Sequence, residues 1–240
     1  MAADERRHVI AIGGGMLMPR GVVPFHVDYA IRLSGKPTPR LCVLNQAVGD
    51  DPALYLRFYD RLANSSAEVR HLSLFPMPNV EDPEDFLLSQ DIIFVGGGSV
   101  ANMLAVWRVH GIDEILRKAY HAGIVLAGSS AGGICWFEGG TTDSFGARLR
   151  AYTDGLGVLP GSFCPHYLSE PERRPLYQRL VAEGTLPGGL GCDDGVGAHY
   201  VDDTLTEMTC DRPGGQGYRV EPDGEGGATE TALPVRFLGA

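Results

Sequence analysis

The segment "GSSAG" (128–132) follows the pattern G-x-S-x-G, with Ser130 as the central serine. It lies between an apolar run that predicts a buried strand (123–129) and a second apolar run that predicts a helix. A sharp turn from strand to helix projects the serine hydroxyl from the end of a sheet, and small neighbours let the backbone turn. We therefore predict that Ser130 is a nucleophile and that Ser129, which precedes the turn, is not. The alternative interpretation is a small-residue turn without chemistry.

A serine nucleophile needs a general base, and histidine is a common one. His166 follows a short apolar segment and a proline, and charged residues come after it. His199 is the alternative, but it lies inside the strand-like segment 196–201, which is typical of a structural histidine. His166 is therefore the predicted base.

The base in turn needs a carboxylate that orients its ring. Asp193 and Asp194 stand side by side before a glycine, and Asp143 in "GGTTDSFG" is a further candidate. Because Asp-Gly is also a common turn pair, the two neighbouring aspartates are either turn residues or include the acid. The arrangement that we predict runs in the chain order Ser130, His166, Asp194.

Two glycine-rich segments follow predicted strands. The segment "FVGGGS" (94–99) satisfies neither the dinucleotide nor the P-loop pattern, so it does not predict a nucleotide site. Because the carboxyl ends of parallel strands meet at one edge of a sheet, its N–H groups could face Ser130 and form half of an oxyanion hole. The segment "IGGGMLMPRG" (12–21) could shape the same pocket or only turn the chain.

These residues have to be positioned by an alternation of strands and helices. Continuous apolar runs predict buried parallel strands at 8–14, 40–46, 69–75, 91–97 and 123–129, and amphipathic segments predict helices at 52–65, 99–111, 113–123 and 171–184. The alternation is typical of a three-layer α/β sandwich with a mostly parallel sheet. From residue 188 onward, short alternating segments predict antiparallel strands that extend or cap the sheet. No long linker divides the 240 residues, so one catalytic domain over 1–240 is expected.

Composition excludes several classes of function. The chain is 44% hydrophobic and 21% charged, as soluble globular proteins are. Its net charge of −10 argues against nucleic acid as a partner, and the lack of a long apolar run or a signal peptide predicts no membrane association and a cytoplasmic protein. Five scattered cysteines without C-x-x-C spacing predict neither a zinc site nor disulfides, so no metal or cofactor is expected.

Several motifs together resemble one known family. The segments "DIIFVGGGSVANML", "GSSAGG", "TTDS", "PHY…ERR" and "GCDDGV" match, in order and spacing over residues 8–221, the peptidase E (aspartyl dipeptidase) family, to which the cyanophycinases are related. The resemblance implies a three-layer α/β fold like that of class I glutamine amidotransferase domains. It also implies a serine peptidase that cleaves dipeptides with an N-terminal aspartate, so that a small peptide is the expected partner.

The resemblance also implies roles for individual residues. The family's nucleophile falls on Ser130 and its histidine on His166. Its acid, which is Glu or Asp in the family, falls on Asp194, with Asp193 as the alternative. The T-x-D segment of the family falls on Asp143.

The resemblance further implies the oxyanion donors, which are the backbone N–H groups of Gly98 and Ala131. Ser99 stands where the family usually carries asparagine. The family's substrate arginine lies in the segment after the histidine, which is shorter here, and falls on Arg173 or Arg174.

An N-terminal aspartate needs a cation for its side chain and an acceptor for its free amine. Arg173 or Arg174 would supply the cation, and Asp143 or Glu170 would supply the acceptor. Exposed edges of the C-terminal strands could pair two copies into a homodimer.

Three other interpretations stay open at this point. A glutamine amidotransferase would need cysteine at the turn, whereas Cys135 lies one helical turn further on. An α/β-hydrolase esterase would use the order serine, acid, histidine, which Asp143 or Asp154 with His166 would satisfy. A non-catalytic ligand-binding module of the same fold would keep the glycines but have no base near Ser130.

Overall fold

The computed structural model of the chain describes residues 6–15, 22–146 and 148–239. The strands within these residues are β1 (His8–Ile12), β2 (Arg40–Leu44), β3 (Glu68–Leu72), β4 (Ile92–Val95), β5 (Val125–Ser129), β6 (Gly139–Thr142), β7 (Arg150–Tyr152), β8 (Ser162–Cys164), β9 (Gly189–Cys192), β10 (Val196–Val201), β11 (Thr204–Cys210), β12 (Gly217–Pro222), β13 (Ala228–Leu233) and β14 (Val235–Phe237). The helices are α1 (Phe25–Leu33), α2 (Pro52–Leu62), α3 (Pro83–Leu88), α4 (Val100–His110), α5 (Ile112–His121), α6 (Ala131–Ile134) and α7 (Arg173–Ala182).

The larger sheet has the strand order β14-β11-β10-β1-β5-β4-β2-β3. Its part from β1 to β3 is parallel, with β1 beside β5, β5 beside β4, and β2 between β4 and β3. On the other side of β1, strands β10 and β11 continue the sheet in antiparallel fashion. The prediction of an α/β fold whose parallel strands are the first five apolar runs is therefore confirmed, as is the extension by C-terminal antiparallel strands.

A second sheet was not predicted. Its strand order is β13-β12-β9-β8-β6-β7, and it mixes parallel and antiparallel pairs. The expectation of one mostly parallel sheet was incomplete because β6, β7 and β8 have only three or four residues each, too few to show a period. The closer likeness to amidotransferase layering stays a prediction, as does the single domain.

Alternate side chains of β1 enter different parts of the core. Val9 and Ala11 pack in the cluster that also contains Trp107 of α4, whereas Ile10 and Ile12 pack in the cluster that includes residues of α1 and α2. These four side chains have no solvent exposure. Burying a large aliphatic side chain stabilises the fold by about 1.5–3 kcal/mol. Since helices cover both faces, the carboxyl edge of the sheet is the accessible place for a site.

Two buried histidines in this fold resist protonation. His26 on α1 is 1% exposed, and its Nε2 lies 3.2 Å from the Thr209 hydroxyl. Burial lowers the pKa of His26 to about 4. Burial, reinforced by the neighbouring His8, likewise lowers the pKa of His199 to about 4. Acid must therefore favour the unfolded chain, in which both rings are free to bind protons.

We expect the free energy of unfolding to decrease as the pH falls from about 6.5 towards 4. In this range His26 binds a proton in the unfolded chain but stays neutral in the folded one. His26 alone should lower the free energy of unfolding by about 2 kcal/mol at about pH 5. Urea unfolding at several pH values should show a flatter pH dependence for His26→Gln than for the wild type. The exposed His110→Gln serves as control, and equal pH dependences for the two variants would contradict the assignment to His26.

Candidate active site

Ser130 lies on a tight turn between β5 and α6. Its φ of 55° and ψ of −113° are unusual for a residue with a side chain. A Cβ atom at Gly128 would overlap the carbonyl oxygen of Gly132, and one at Gly132 would overlap that of Val95. The Ser130 N–H donates to the Ile12 carbonyl over 2.9 Å, which ties the turn to the end of β1. Both glycines of the pattern are therefore required sterically, and the backbone is strained at the serine between them.

Three side chains from separate loops meet at this turn. His166 Nε2 lies 2.9 Å from Ser130 Oγ, and His166 Nδ1 lies 2.6 Å from Asp194 Oδ1. If Nδ1–H donates to the carboxylate, Nε2 is left as the acceptor for the hydroxyl proton. His166 and Asp194 are partly exposed, at 19% and 28% of their side chains. The structure thus brings together the predicted serine, histidine and acid in the predicted chain order.

The end of β1 also holds the loops that carry the histidine and the acid. The Gly13 carbonyl accepts the N–H of His166 over 3.0 Å. The Gly14 carbonyl accepts the N–H of Gly195, the residue after the acid, over 2.9 Å. Consecutive peptide groups of one glycine segment therefore set the relative positions of both loops.

Gly14 lies beside the candidate site, a placement that sequence reasoning left undecided. A Cβ atom there would overlap His166 Cε1 and lie 2.5 Å from Asp194 Oδ1. The described part of the segment 12–21 therefore passes directly beside the histidine–acid pair, and residues 16–21 lie outside the described residues. The run of three glycines was the signal for this close approach.

The other two candidate acids have different surroundings. Asp193 Oδ1 accepts the N–H groups of Leu168 and Ser169 over 3.1 and 2.8 Å, so it holds the segment that follows His166. Asp143 lines the cleft in front of the serine. Of the three aspartates, Asp194 is the one whose carboxylate contacts the imidazole ring of His166, over 2.6 Å.

The two predicted oxyanion donors, Gly98 and Ala131, both lie near Ser130. Gly98 lines the same cleft, and the backbone of the adjacent Gly97 is so close that a Cβ atom there would lie 3.1 Å from Ser130 Cβ. Ala131 is the first residue of α6, a position whose N–H has no partner within a helix. N–H groups directed into the cleft from these two residues would stabilise a negative charge on an oxygen that forms beside Ser130.

The cleft has a volume of about 300 Å³ and carries charges of both signs. Its lining includes Ser130, His166 and Gly98 together with Asp143, Glu170 and Arg173. A larger groove of about 370 Å³ lies beside β11 and β14 and contains no predicted site residue.

Arg173 is a fixed cation at the cleft. It is only 3% exposed, its Nε donates to Glu170 Oε2 over 2.6 Å, and its Nη1 donates to the Thr141 carbonyl over 2.8 Å. Arg174 instead lies outside the cleft lining, where its Nε donates to Glu230 over 3.0 Å. Of the two predicted arginines, the structure therefore brings only Arg173 to the site, and the carboxylate of Glu170 is already paired with it.

Other residues considered as alternatives lie in structural settings. His199 on β10 contacts the ring of His8 over 3.0 Å and the hydroxyl of Tyr29 over 2.8 Å. Asp154 forms an ion pair with Arg108 over 2.8 Å. Neither arrangement involves Ser130, so the order serine, acid, histidine finds no geometric support.

The cysteines do not supply a rival nucleophile. Cys135 is completely buried, its thiol donates to the Gly132 carbonyl over 3.2 Å, and burial raises its pKa well above the ordinary value. All five cysteines are buried and free of disulfides. Within the described residues, His, Cys, Asp and Glu side chains form no cluster of three or more that suits a metal ion. In the same part of the chain no helix is both long and apolar enough to cross a membrane.

An α/β fold with a serine, a histidine and a carboxylate hydrogen-bonded in series at the edge of its sheet defines a class that includes many hydrolases. Comparison with protein families identifies which kind of hydrolase this is, because the model of peptidase family S51 matches residues 9–208. The chain belongs to peptidase family S51, and it is a peptidase by that membership. The resemblance to the peptidase E family is thereby confirmed.

Two relatives agree with this family, and one solved structure shares the fold. The chain is 40% identical over 233 residues to "Uncharacterized peptidase YgaJ" of Bacillus subtilis (strain 168), covering 97% of this chain and 100% of that protein. It is 29% identical over 139 residues to "Peptidase E" of Streptomyces coelicolor, covering 54% of this chain and 51% of that protein. The crystal structure of a peptidase from an acI-B1 Actinobacterium shares the fold, with a TM-score of 0.68 at 13% identity over 97% of this chain and 96% of that one.

Proposed function

We propose that the chain is a serine peptidase that hydrolyses small peptides through an acyl-enzyme on Ser130. The observation that carries this proposal is the unbroken series of hydrogen-bond distances from Asp194 through His166 to Ser130. A turn that forces the serine into a strained conformation and a glycine loop beside it support the same interpretation.

In the proposed reaction, His166 Nε2 accepts the hydroxyl proton as Ser130 Oγ bonds to the peptide carbonyl carbon. The negative carbonyl oxygen would lie against the N–H groups of Gly98 and Ala131. His166 then gives the proton to the amine as the C–N bond breaks, which leaves an ester on Ser130. Water attacks this ester by the same steps, and the serine proton is restored.

We further propose that the preferred substrates are dipeptides with an N-terminal aspartate. The buried guanidinium of Arg173 would bind the aspartate side chain, because arginine pairs strongly with carboxylates. Asp143 would accept the free amine, since Glu170 is engaged with Arg173 and serves to orient it. A cleft of about 300 Å³ suits a small peptide. The cytoplasmic location and the homodimer stay predictions.

The function is tested by labelling the protein with a serine-directed phosphonate and by assaying a panel of Asp-Xaa dipeptides beside simple esters. We expect the label on Ser130 and faster turnover of Asp-Xaa than of the other dipeptides. Labelling at another residue, or turnover of esters alone, would favour the esterase interpretation. Absence of both labelling and turnover would favour a non-catalytic binding module.

Replacing the cleft arginine should damage recognition of aspartate more than the chemistry. We expect Arg173→Met to lower kcat/KM for Asp-Leu by about 10- to 100-fold, since hydrogen bonds to charged groups contribute about 1.5–3 kcal/mol. Phosphonate labelling of Ser130 and turnover of Ala-Leu should change much less. The matched control is Arg179→Met, at an exposed position of the same helix. Unchanged Asp-Leu turnover in Arg173→Met would remove this arginine from the substrate site.

A further inference from the structure

One carboxylate outside the cleft, that of Glu230 on β13, is engaged by three side chains. The Tyr167 hydroxyl donates to it over 2.5 Å, Arg174 Nε over 3.0 Å and Gln178 Nε2 over 2.9 Å. The Glu230 side chain is only 13% exposed. Burial alone would raise the pKa of Glu230, but the hydrogen bonds from Arg174 and Tyr167 outweigh it and hold this pKa below its ordinary value. Glu230 is therefore a charged anchor at neutral pH.

The first of these contacts reaches the residue next to the candidate base. Tyr167 directly follows His166 and has no solvent exposure. Its ring packs so closely on Gly191 that a Cβ atom at Gly191 would lie 2.6 Å from it. His166 itself has a φ of 52°, a conformation that persists only where the surroundings hold it. The hydroxyl bond to Glu230 fixes the far end of the ring and thereby the backbone beside His166.

The second contact reaches the residue next to the cleft arginine. Arg174 directly follows Arg173 at the start of α7, and its Nε and Nη2 both donate to the Glu230 carboxylate. Its guanidinium also lies 5.5 Å above the ring of Tyr218 on β12. Neighbouring residues of a helix point in directions about 100° apart. Anchoring Arg174 to the hairpin of β12 and β13 therefore sets the rotation that directs Arg173 to the cleft.

We infer that Glu230 is a positioning residue of the candidate active site, acting through Tyr167 on His166 and through Arg174 on Arg173. The inference rests on the proposed function. Glu230 lies beyond residues 9–208, the part of the chain that the family model matches. The C-terminal hairpin thus takes part in the site although none of its residues lines the cleft.

The effects of the two contacts, of Glu230 with Tyr167 and with Arg174, can be separated by single substitutions. Tyr167→Phe removes only the hydroxyl bond and should lower kcat for Asp-Leu and the rate of phosphonate labelling, with little change in KM. Arg174→Met removes only the contact between residue 174 and Glu230, and it should raise KM with little change in kcat. Glu230→Ala should do both and lower kcat/KM by about 10- to 100-fold, as small displacements of catalytic groups do. Glu230→Gln keeps the shape and an acceptor and should recover part of the loss.

The control is Glu221→Gln, which removes a carboxylate from an exposed position of the same hairpin. Thermal unfolding followed by circular dichroism shows which variants are folded. Wild-type rates in a folded Glu230→Ala would overturn this inference and leave the proposed function standing. If Glu230→Ala does not fold, Tyr167→Phe and Arg174→Met decide, and the inference fails if both match Glu221→Gln. A wild-type protein that neither labels nor hydrolyses peptides would overturn the proposed function, and this inference with it.

Discussion

Ser130→Ala is expected to abolish peptide hydrolysis and phosphonate labelling, with a loss in kcat of about 10⁶-fold, the size seen when a serine peptidase loses its nucleophile. Alanine has no hydroxyl to attack the carbonyl or to give a proton to His166, which lies 2.9 Å from Ser130 Oγ. The oxyanion donors would remain and account for the residual rate. The change is measured as the rate of single-turnover hydrolysis of Asp-Leu and as the increase in protein mass after treatment with the phosphonate.

The adjacent serine provides the control for this experiment. Ser129 is the last residue of β5 and is 7% exposed. Ser129→Ala changes the same atoms one position earlier and should keep the label and most of the turnover. A label that survives in Ser130→Ala and disappears in Ser129→Ala would show that the nucleophile is the other serine.

The parallel part of the large sheet could be predicted because its strands are short continuous apolar runs. The run 123–129 contains β5, and 91–97 contains β4, each with boundaries off by at most two residues. Strands buried on both faces leave this signal since every side chain is inside. Helix α7 was likewise within the predicted range 171–184.

Other elements left no comparable local signal. Strand β6 is Gly-Gly-Thr-Thr, and its partners β7 and β8 have three residues each, so long-range pairing rather than local preference forms them. Helix α1 begins after Pro24 without a side-chain cap. Which face of α1 is buried depends on the sheet against which the helix packs.

Within the site, the sequence favoured Ser130 over Ser129 and Asp194 over Asp193, but it left Arg173 and Arg174 as equal alternatives. Asp193 and Asp194 point to different partners, as do Arg173 and Arg174, and the direction of each side chain depends on the turn or helix that carries it. The positions of Gly14 and Glu230 depend on contacts with residues far away in the chain. Such contacts exist only in the folded molecule.

The choice between the two aspartates leads to the second large expected effect. Asp194→Asn should lower kcat by about 10⁴-fold, because an amide in this place favours the wrong tautomer of the histidine. The Asn side chain would donate to His166 Nδ1, where the carboxylate now accepts over 2.6 Å, and the proton would then sit on Nε2. A protonated Nε2 cannot take the Ser130 proton. KM for Asp-Leu should change little, since Asp194 does not line the cleft.

Asp193→Asn is the matched comparison for this variant, with the same change of atoms one position earlier. Its side-chain oxygen can still accept the N–H groups of Leu168 and Ser169, so the loss should stay below about tenfold, as for a neutral hydrogen bond of about 1 kcal/mol. The pH profiles add an independent criterion. Asp194→Asn alters the protonation of the base itself and should change the pH dependence of kcat/KM, whereas Asp193→Asn should keep its shape. The reverse pattern would make Asp193 the acid, and equal small losses would mean that His166 needs no carboxylate partner.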